Sequence, residues 1–329
     1  MKIAVFSTKV YDREYFEKYG KDELFDFTFF ETSLSAATVN LTHGFDAVCV
    51  FVNDKVDDET INGLASNGVK LIALRCAGFN NVDLESAKKN KIKVVRVPAY
   101  SPEAVAEHAM ALILTLNRKT HKAYNRVREG NFSLNKLIGF NLYKKTLGVI
   151  GTGKIGAAFC RIGLGFGCKI IAYDKYPSEE LKTSGVEYKT QHEVLEQADI
   201  LSLHCPLTPE TKHIIDAEAL TGMKEGVMII NTSRGALINT GDILDGLKDG
   251  KVGYLGIDVY EQEENLFYKD LSESIIPDDL ILRLNSFPNV LITAHQAYFT
   301  KEAMTEITIT TLNNIKSFKK GELLENEVS

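Results

Sequence analysis

Residues 146–156 read TLGVIGTGKIG, an apolar run that enters GxGxxG and continues as a helical pattern. No other stretch restricts the fold as much. A strand, a glycine turn and a helix in that order open a βαβ unit, and such units build parallel sheets covered by helices on both faces. Gly151 permits the tight turn, Gly153 lets the backbone approach a pyrophosphate, and Gly156 lets the helix pack on the strand. The helix N-terminus then offers free N–H groups and a positive dipole end to phosphate. The next apolar run ends on Asp174, 18 residues after Gly156. A carboxylate there accepts hydrogen bonds from ribose hydroxyls and repels a 2′-phosphate, which favours NAD over NADP, although Lys175 softens the repulsion.

Similar alternation runs through the whole chain. Expected strands are Ile3–Ser7, Asp26–Phe30, Ala47–Phe51, Leu71–Arg75 and Val94–Val97. A second series is Thr146–Ile150, Ile170–Tyr173, Ile200–His204, Val227–Asn231, Tyr254–Asp258 and Val290–Thr293. Near-continuous apolar strands separated by helical stretches mean parallel sheets, and two series mean two doubly wound α/β units. The length of 329 residues agrees, at roughly 150 residues per domain. The joint is expected from Pro98 to Phe132, with an apolar helix after Pro102 buried between the units. Residues 301–320 form an amphipathic helix that could dock on either unit. Residues 262–288 have weak periodicity and read as a long loop or insertion.

Composition removes several function classes. The net charge is −6, which argues against non-specific nucleic-acid binding. No apolar run approaches the ~18 residues of a membrane span, and the N-terminal MKIAVFS reads as a first strand rather than a leader. The cysteines number five, scattered and without a CxxC, so neither a disulfide framework nor a metal site is expected, and the chain reads as cytoplasmic.

An enzyme using a nicotinamide on a carbonyl needs a proton donor and a substrate anchor. Among the seven histidines, His204 and His295 each follow an expected strand, at the end where open α/β sheets bind ligands, and position does not separate them. His213 falls in a polar, surface-like context, and His108 lies in the apolar helix. Arg234 follows another strand, and a guanidinium captures a carboxylate bidentately. Glu261, Glu263 and Glu264 follow the next, and any of them could support a histidine.

The blocks LRCAGFNNVD (74–83), VPAYSP (97–102), AEHA (106–109), the glycine motif, HCPLTP (204–209), NTSRG (231–235), DVYE (258–261) and AHQA (294–297) occur in this order. With them the chain resembles the D-isomer-specific 2-hydroxyacid dehydrogenases, and within that family the bacterial fermentative D-lactate dehydrogenases. The resemblance implies a Rossmann NAD-binding domain, 101–298, inserted in a flavodoxin-like substrate domain, 1–100 plus 299–329. It implies reversible reduction of pyruvate to D-lactate with NADH. Arg234 would bind the carboxylate, His295 would be the acid–base group, and Glu263 would be its partner. Substrate contacts would come from Ala77, Gly78, Tyr100, Arg234 and Phe299. Cofactor contacts would come from Gly151, Gly153, Lys154, Ile155, Gly156, Asp174, Cys205, Pro206, Thr211, Thr232, Ser233 and Asp258, the last near the nicotinamide carboxamide. His204 then only lines the cofactor site. The implied assembly is a homodimer or dimer of dimers, with the apolar helix 102–118 and its surroundings buried by the partner. A bulkier 2-keto acid is the alternative substrate, and an NAD-sensing binding protein is the alternative class.

Overall fold

The computed structural model describes residues 1–21 and 25–328. The chain divides into two compact units, Met1–Ser101 with Phe299–Ser329, and Pro102–Tyr298. The first holds strands β1 (Lys2–Val5), β2 (Asp26–Phe29), β3 (Ala47–Val50), β4 (Leu71–Leu74) and β5 (Lys93–Val95). The second holds β6 (Thr146–Ile150), β7 (Lys169–Tyr173), β8 (Val186–Tyr188), β9 (Ile200–Leu203), β10 (Val227–Asn231), β11 (Val252–Ile257) and β12 (Val290–Ile292). Every named pairing is parallel.

The first sheet has the order β2-β1-β3-β4-β5, the flavodoxin-like arrangement. Its central strands β3 and β4 are buried at every residue, while the edge strand β2 alternates exposed and half-buried. Burial on both faces is what the uninterrupted apolar runs AVCV and LIAL encode. The helix Lys301–Lys320 begins at Thr300, whose hydroxyl accepts from the Ala303 amide, and ends at Gly321 in the left-handed region. Its Leu312 and Ile315 pack with Ile3, Val5, Leu71 and Ala73, so the helix covers this sheet.

The second sheet runs β12-β11-β10-β9-β6-β7-β8. Strand order reverses at β6, so its carboxyl end is a topological switch point, where doubly wound sheets bind ligands. Strand β8 has only three residues, too short for periodicity to reveal, and the sequence reading missed it. The helix Pro102–Arg118 was expected between the two units. Instead Ala109, Leu112, Ile113 and Leu116 pack with Leu147, Val149, Phe159 and Ile230 in the core of the second unit. Gly256 on β11 makes room, since a Cβ there would lie 3.3 Å from Leu112 Cβ. The stretch 262–288 is also more ordered than its periodicity implied. It contains the turn Glu263–Asn265 and the helix Asp279–Ser286, capped by Asp278. No helix among the described residues is long and apolar enough to cross a membrane.

Candidate active site

The register of the second sheet aligns its strand ends. Tyr173, Ile150, Leu203, Asn231, Ile257 and Ile292 stand side by side across β7, β6, β9, β10, β11 and β12. One residue further along each strand come Asp174, Gly151, His204, Thr232, Asp258 and Thr293. Six segments remote in sequence therefore deliver their polar residues to one edge. Asp174 and Asp258 are four strands apart, about 19 Å at ~4.8 Å per strand, a span that suits an extended dinucleotide.

The glycine turn fits the pyrophosphate role on its own geometry. Gly151 has a φ of +93°, and a Cβ there would lie 2.6 Å from the Cys205 amide nitrogen. A Cβ on Gly156 would lie 1.9 Å from the Gly151 carbonyl oxygen, whereas one on Gly153 would meet nothing within 4 Å. Two glycines thus close-pack the turn, and the third leaves open the space where the helix Lys154–Gly165 presents its amides. Lys154 is exposed and Ile155 half-buried at that helix start. Asp174 accepts from the Thr152 amide at 2.5 Å and the Tyr176 amide at 2.8 Å, which fixes its carboxylate and leaves further lone pairs. Thr232 Oγ1 is buried with no hydrogen-bond partner among the described residues, and a bound polar group would satisfy it. The Ser233 hydroxyl donates to the Cys205 carbonyl at 2.7 Å, tying the β9 and β10 loops together. Cys205 is buried against the glycine turn, and burial pushes its thiol up to about 11. Pro206 and Thr211 close a turn, the Thr211 hydroxyl donating to the Pro206 carbonyl at 2.7 Å.

The two candidate histidines separate clearly. His204 Nε2 lies 2.9 Å from Ser202 Oγ, its ring packs 4.9 Å from Phe159, and burial lowers its pKa to about 3. It is a neutral packing group. His295 Nδ1 lies 2.8 Å from Glu263 Oε1. With that nitrogen engaged by the carboxylate, Nε2 is the ring position left for proton exchange. Glu263 is itself fixed, its Oε2 accepting from the Tyr260 amide at 2.9 Å. Glu261 instead pairs with His213, Oε1 to Nε2 at 2.6 Å, and accepts from the Thr240 hydroxyl at 3.0 Å. His213 is therefore a half-buried structural partner rather than a free surface residue.

Asp258 organises this end of the sheet. It is completely buried. Its Oδ1 accepts from the Thr293 hydroxyl at 2.5 Å and the Gln296 amide at 2.9 Å, and Oδ2 accepts from the Ala297 amide at 2.8 Å. His108 Nε2 is 3.5 Å from Oδ1. The Asp258 carbonyl also accepts from the His295 amide at 2.7 Å. Burial raises the pKa of this carboxyl, but the bonds from His108, Thr293, Ala297 and Gln296 outweigh it and the net shift is downward. Within the protein, Asp258 thus holds the turn that carries His295. That turn holds His295 at a φ of +52°, a left-handed conformation costing roughly 1–2 kcal/mol for an L residue.

Arg234 is half-buried and its Nη1 donates to the Ser233 carbonyl at 2.7 Å. Asn231 shapes its loop, accepting from the Ser233 amide at 3.0 Å and donating to the Arg234 carbonyl at 2.9 Å. A Cβ on Gly235 would lie 2.1 Å from the Tyr260 carbonyl carbon, so only glycine lets the Arg234 loop touch the loop leading to Glu263. Neither Asn231 nor Gly235 was singled out from sequence. The signal was the unbroken NTSRG block itself.

In the first unit, the Ala77 and Gly78 amides have no protein acceptor among the described residues. Their carbonyls are occupied, by Arg96 at 2.8 Å and by the Cys76 thiol at 3.2 Å. Buried Arg75 anchors this loop, with Nη2 donating to the Ser7 carbonyl at 2.8 Å and Nε 3.4 Å from Asp12. Tyr100 is half-buried. Phe299 is 48% exposed and meets Tyr11 edge-on at 4.7 Å.

Residues 110–297 match the model of the D-isomer specific 2-hydroxyacid dehydrogenase NAD binding domain. The chain is 51% identical to the D-lactate dehydrogenase of Escherichia coli strain K12, over 100% of both chains. A structure reported with the identification of the pyruvate reductase of Chlamydomonas reinhardtii superposes with a TM-score of 0.94 at 43% identity, covering 99% of this chain and 98% of that one. The Aquifex aeolicus D-lactate dehydrogenase complexed with NAD and lactic acid gives a TM-score of 0.88 at 37% identity, covering 99% and 98%.

The two kinds of glycine make opposite predictions. Gly153→Ala should leave the melting temperature unchanged and weaken NADH binding, whereas Gly156→Ala should lower the melting temperature, both read by thermal unfolding and NADH fluorescence titration. A second prediction concerns pH. Because the Asp258 pKa is lowered on folding, its stabilisation is present above its unfolded value of about 3.9 and is lost as pH falls through the folded value. Asp258→Asn should cost about 1–3 kcal/mol at pH 7. The gap in melting temperature from the parent should narrow below pH ~4.

Proposed function

The chain belongs to the D-isomer-specific 2-hydroxyacid dehydrogenases, with an NAD-binding domain over residues 110–297, and on that premise we propose that it reduces pyruvate to D-lactate with NADH, reversibly. The observation that carries this reading is the 2.8 Å contact between His295 Nδ1 and Glu263, at the sheet edge that also carries Arg234. The names of the relatives support the choice of acid: one is a D-lactate dehydrogenase and another was solved with NAD and lactic acid.

Each residue has a distinct part. NADH, when bound, supplies the hydride. Arg234 holds the substrate carboxylate, with the Ala77 and Gly78 amides as further donors and Tyr100 and Phe299 beside the substrate. Protonated His295 hydrogen-bonds the ketone oxygen through Nε2 and releases its proton to the oxygen as negative charge develops there. In oxidation it takes the proton back. Glu263 keeps the ring in the orientation that presents Nε2. The Gly151–Gly156 turn with Lys154 and Ile155, Asp174, Cys205, Pro206, Thr232 and Ser233 holds the cofactor, with Thr211 supporting the Pro206 turn. On this reading 101–298 is the cofactor domain, and 1–100 with 299–329 the substrate domain. All five cysteines are buried and none forms a disulfide, which suits a reducing, cytoplasmic site of fermentation.

We also assign a homodimer. The helix Pro102–Arg118 packs its apolar stripe within its own unit, and the residues that follow it extend the surface on offer. A run of open apolar residues follows it in sequence, Tyr124, Val127, Phe132, Leu134, Ile138 and Tyr143, each more than half exposed. The helix Thr120–Arg128 buries no residue of its own. A second copy of this chain is the occupant proposed for the patch.

Purified protein with NADH should turn over pyruvate faster than 2-ketobutyrate, 2-ketoisocaproate or phenylpyruvate, with D-lactate resolved by chiral chromatography. Preference for a bulkier acid would refute the substrate assignment alone, and tight NADH binding without turnover would refute the enzyme. His295→Gln should cost roughly 10²–10⁴ in turnover with NADH affinity kept. Glu263→Gln should lower kcat for pyruvate with NADH affinity kept, and an unchanged kcat would remove Glu263 from this role. For the dimer, Leu134→Asp with Ile138→Asp should halve the mass seen by sedimentation equilibrium; an unchanged mass would place the interface elsewhere.

A further inference from the structure

Two non-glycine residues with left-handed backbone meet at the active edge, Tyr268 at a φ of +64° and His295 at +52°. Such conformations persist in bulky residues only where the surroundings hold them. Here the two hold each other. The Tyr268 hydroxyl donates to the His295 carbonyl at 3.2 Å, and the two ring centroids lie 6.0 Å apart with planes inclined by 33°.

Tyr268 belongs to the stretch between Glu263 and Asp279, which the cofactor and substrate assignments leave unused. That stretch is anchored at both ends. Phe267 is buried and its amide donates to the Glu263 carbonyl at 2.9 Å. At the other end the Tyr260 hydroxyl lies 3.0 and 2.8 Å from the two oxygens of Asp278, whose Oδ1 caps the following helix by accepting from the Leu280 and Ile281 amides. One strap therefore presents two groups to the same histidine. Glu263 takes Nδ1 on the ring, and Tyr268, five residues later, takes the backbone carbonyl. The His295 amide is meanwhile held by the Asp258 carbonyl at 2.7 Å.

We infer that Tyr268 is a positioning residue for His295: its hydroxyl fixes the turn and its ring limits the swing of the imidazole. The inference rests on His295 being the acid–base group. Glu263 alone leaves the ring free to pivot about the Nδ1 contact, and a second support is what confines Nε2 to one place. The 265–288 stretch would then be part of the catalytic apparatus rather than a surface insertion.

The test uses the full-length enzyme with pyruvate and NADH. Tyr268→Phe removes one neutral hydrogen bond and should lower kcat by about 3–10-fold. KM for pyruvate and for NADH should stay within twofold, because Arg234 and the glycine turn are untouched. Tyr268→Leu removes the ring as well and should cost more in kcat, again without a matching rise in KM. In both variants the His295 ring signal of the substrate-free enzyme, assigned by its absence from His295→Gln, should shift. Unchanged kcat in both variants, a KM that rises in step with the loss of kcat, or an unmoved His295 signal would overturn the inference. Failure of the acid–base reading looks different: His295→Gln itself would keep its turnover, while the ring signal would still report whether Tyr268 holds the histidine.

Discussion

A single buried carboxylate holds the active edge together. Asp258 sits at the end of β11 between β10 and β12, with no exposure to solvent. A charge in that position is tolerable only with every lone pair engaged. Its donors are the Thr293 hydroxyl and the Gln296 and Ala297 amides, with His108 alongside. Satisfying the anion therefore forces the chain after β12 to wrap around it, and that wrapping puts His295 in a left-handed turn. The histidine is placed by the needs of its neighbour. Glu263 and Tyr268 then act on a residue whose backbone is already pinned.

Parallel strands make this arrangement extensible. All strands of the second sheet end at the same edge, so each loop beyond it faces the same side. The aligned row from Tyr173 to Ile292 turns sequence separation into lateral distance. Asp174, proposed for the ribose end, lies at β7, the glycine turn at the switch point β6, and the groups proposed for the reaction at β10 to β12. Cross-ties between neighbouring loops keep the row rigid. Ser233 bonds the β9 loop, Gly235 packs against Tyr260, and Glu261 bridges His213 to Thr240.

Much of this was legible in the residues. Strand cores such as AVCV and LIAL are apolar at every position because both faces are covered, and they were assigned correctly. The glycine motif and Asp174 have a fixed spacing because one βαβ unit fixes the distance between turn and strand end. The three-residue β8 was not legible, because three residues carry no period. The helix Pro102–Arg118 was read as apolar but given the wrong partner, since a stripe of Ala, Leu and Ile states that it is buried and not by what. The 262–288 stretch hid its order for a related reason. Its anchors are single side chains, Phe267, Tyr260 and Asp278, each contacting a partner outside any repeating pattern.

By itself the amino-acid sequence determined the parallel α/β architecture, the dinucleotide turn and the short set of residues able to do the chemistry. These follow from local rules: periodicity, glycine geometry and side-chain type. Only the tertiary structure supplies the physical difference between His204 and His295, and between Glu261 and Glu263, choices that the family resemblance had implied without one. Both histidines follow strands, yet one is packed on Phe159 and neutral while the other meets a carboxylate. The acids are two residues apart on one loop, and they face different histidines because the loop turns between them. Such choices depend on which strand ends become neighbours, and that is set by sheet order and register across the whole unit rather than by any segment of it.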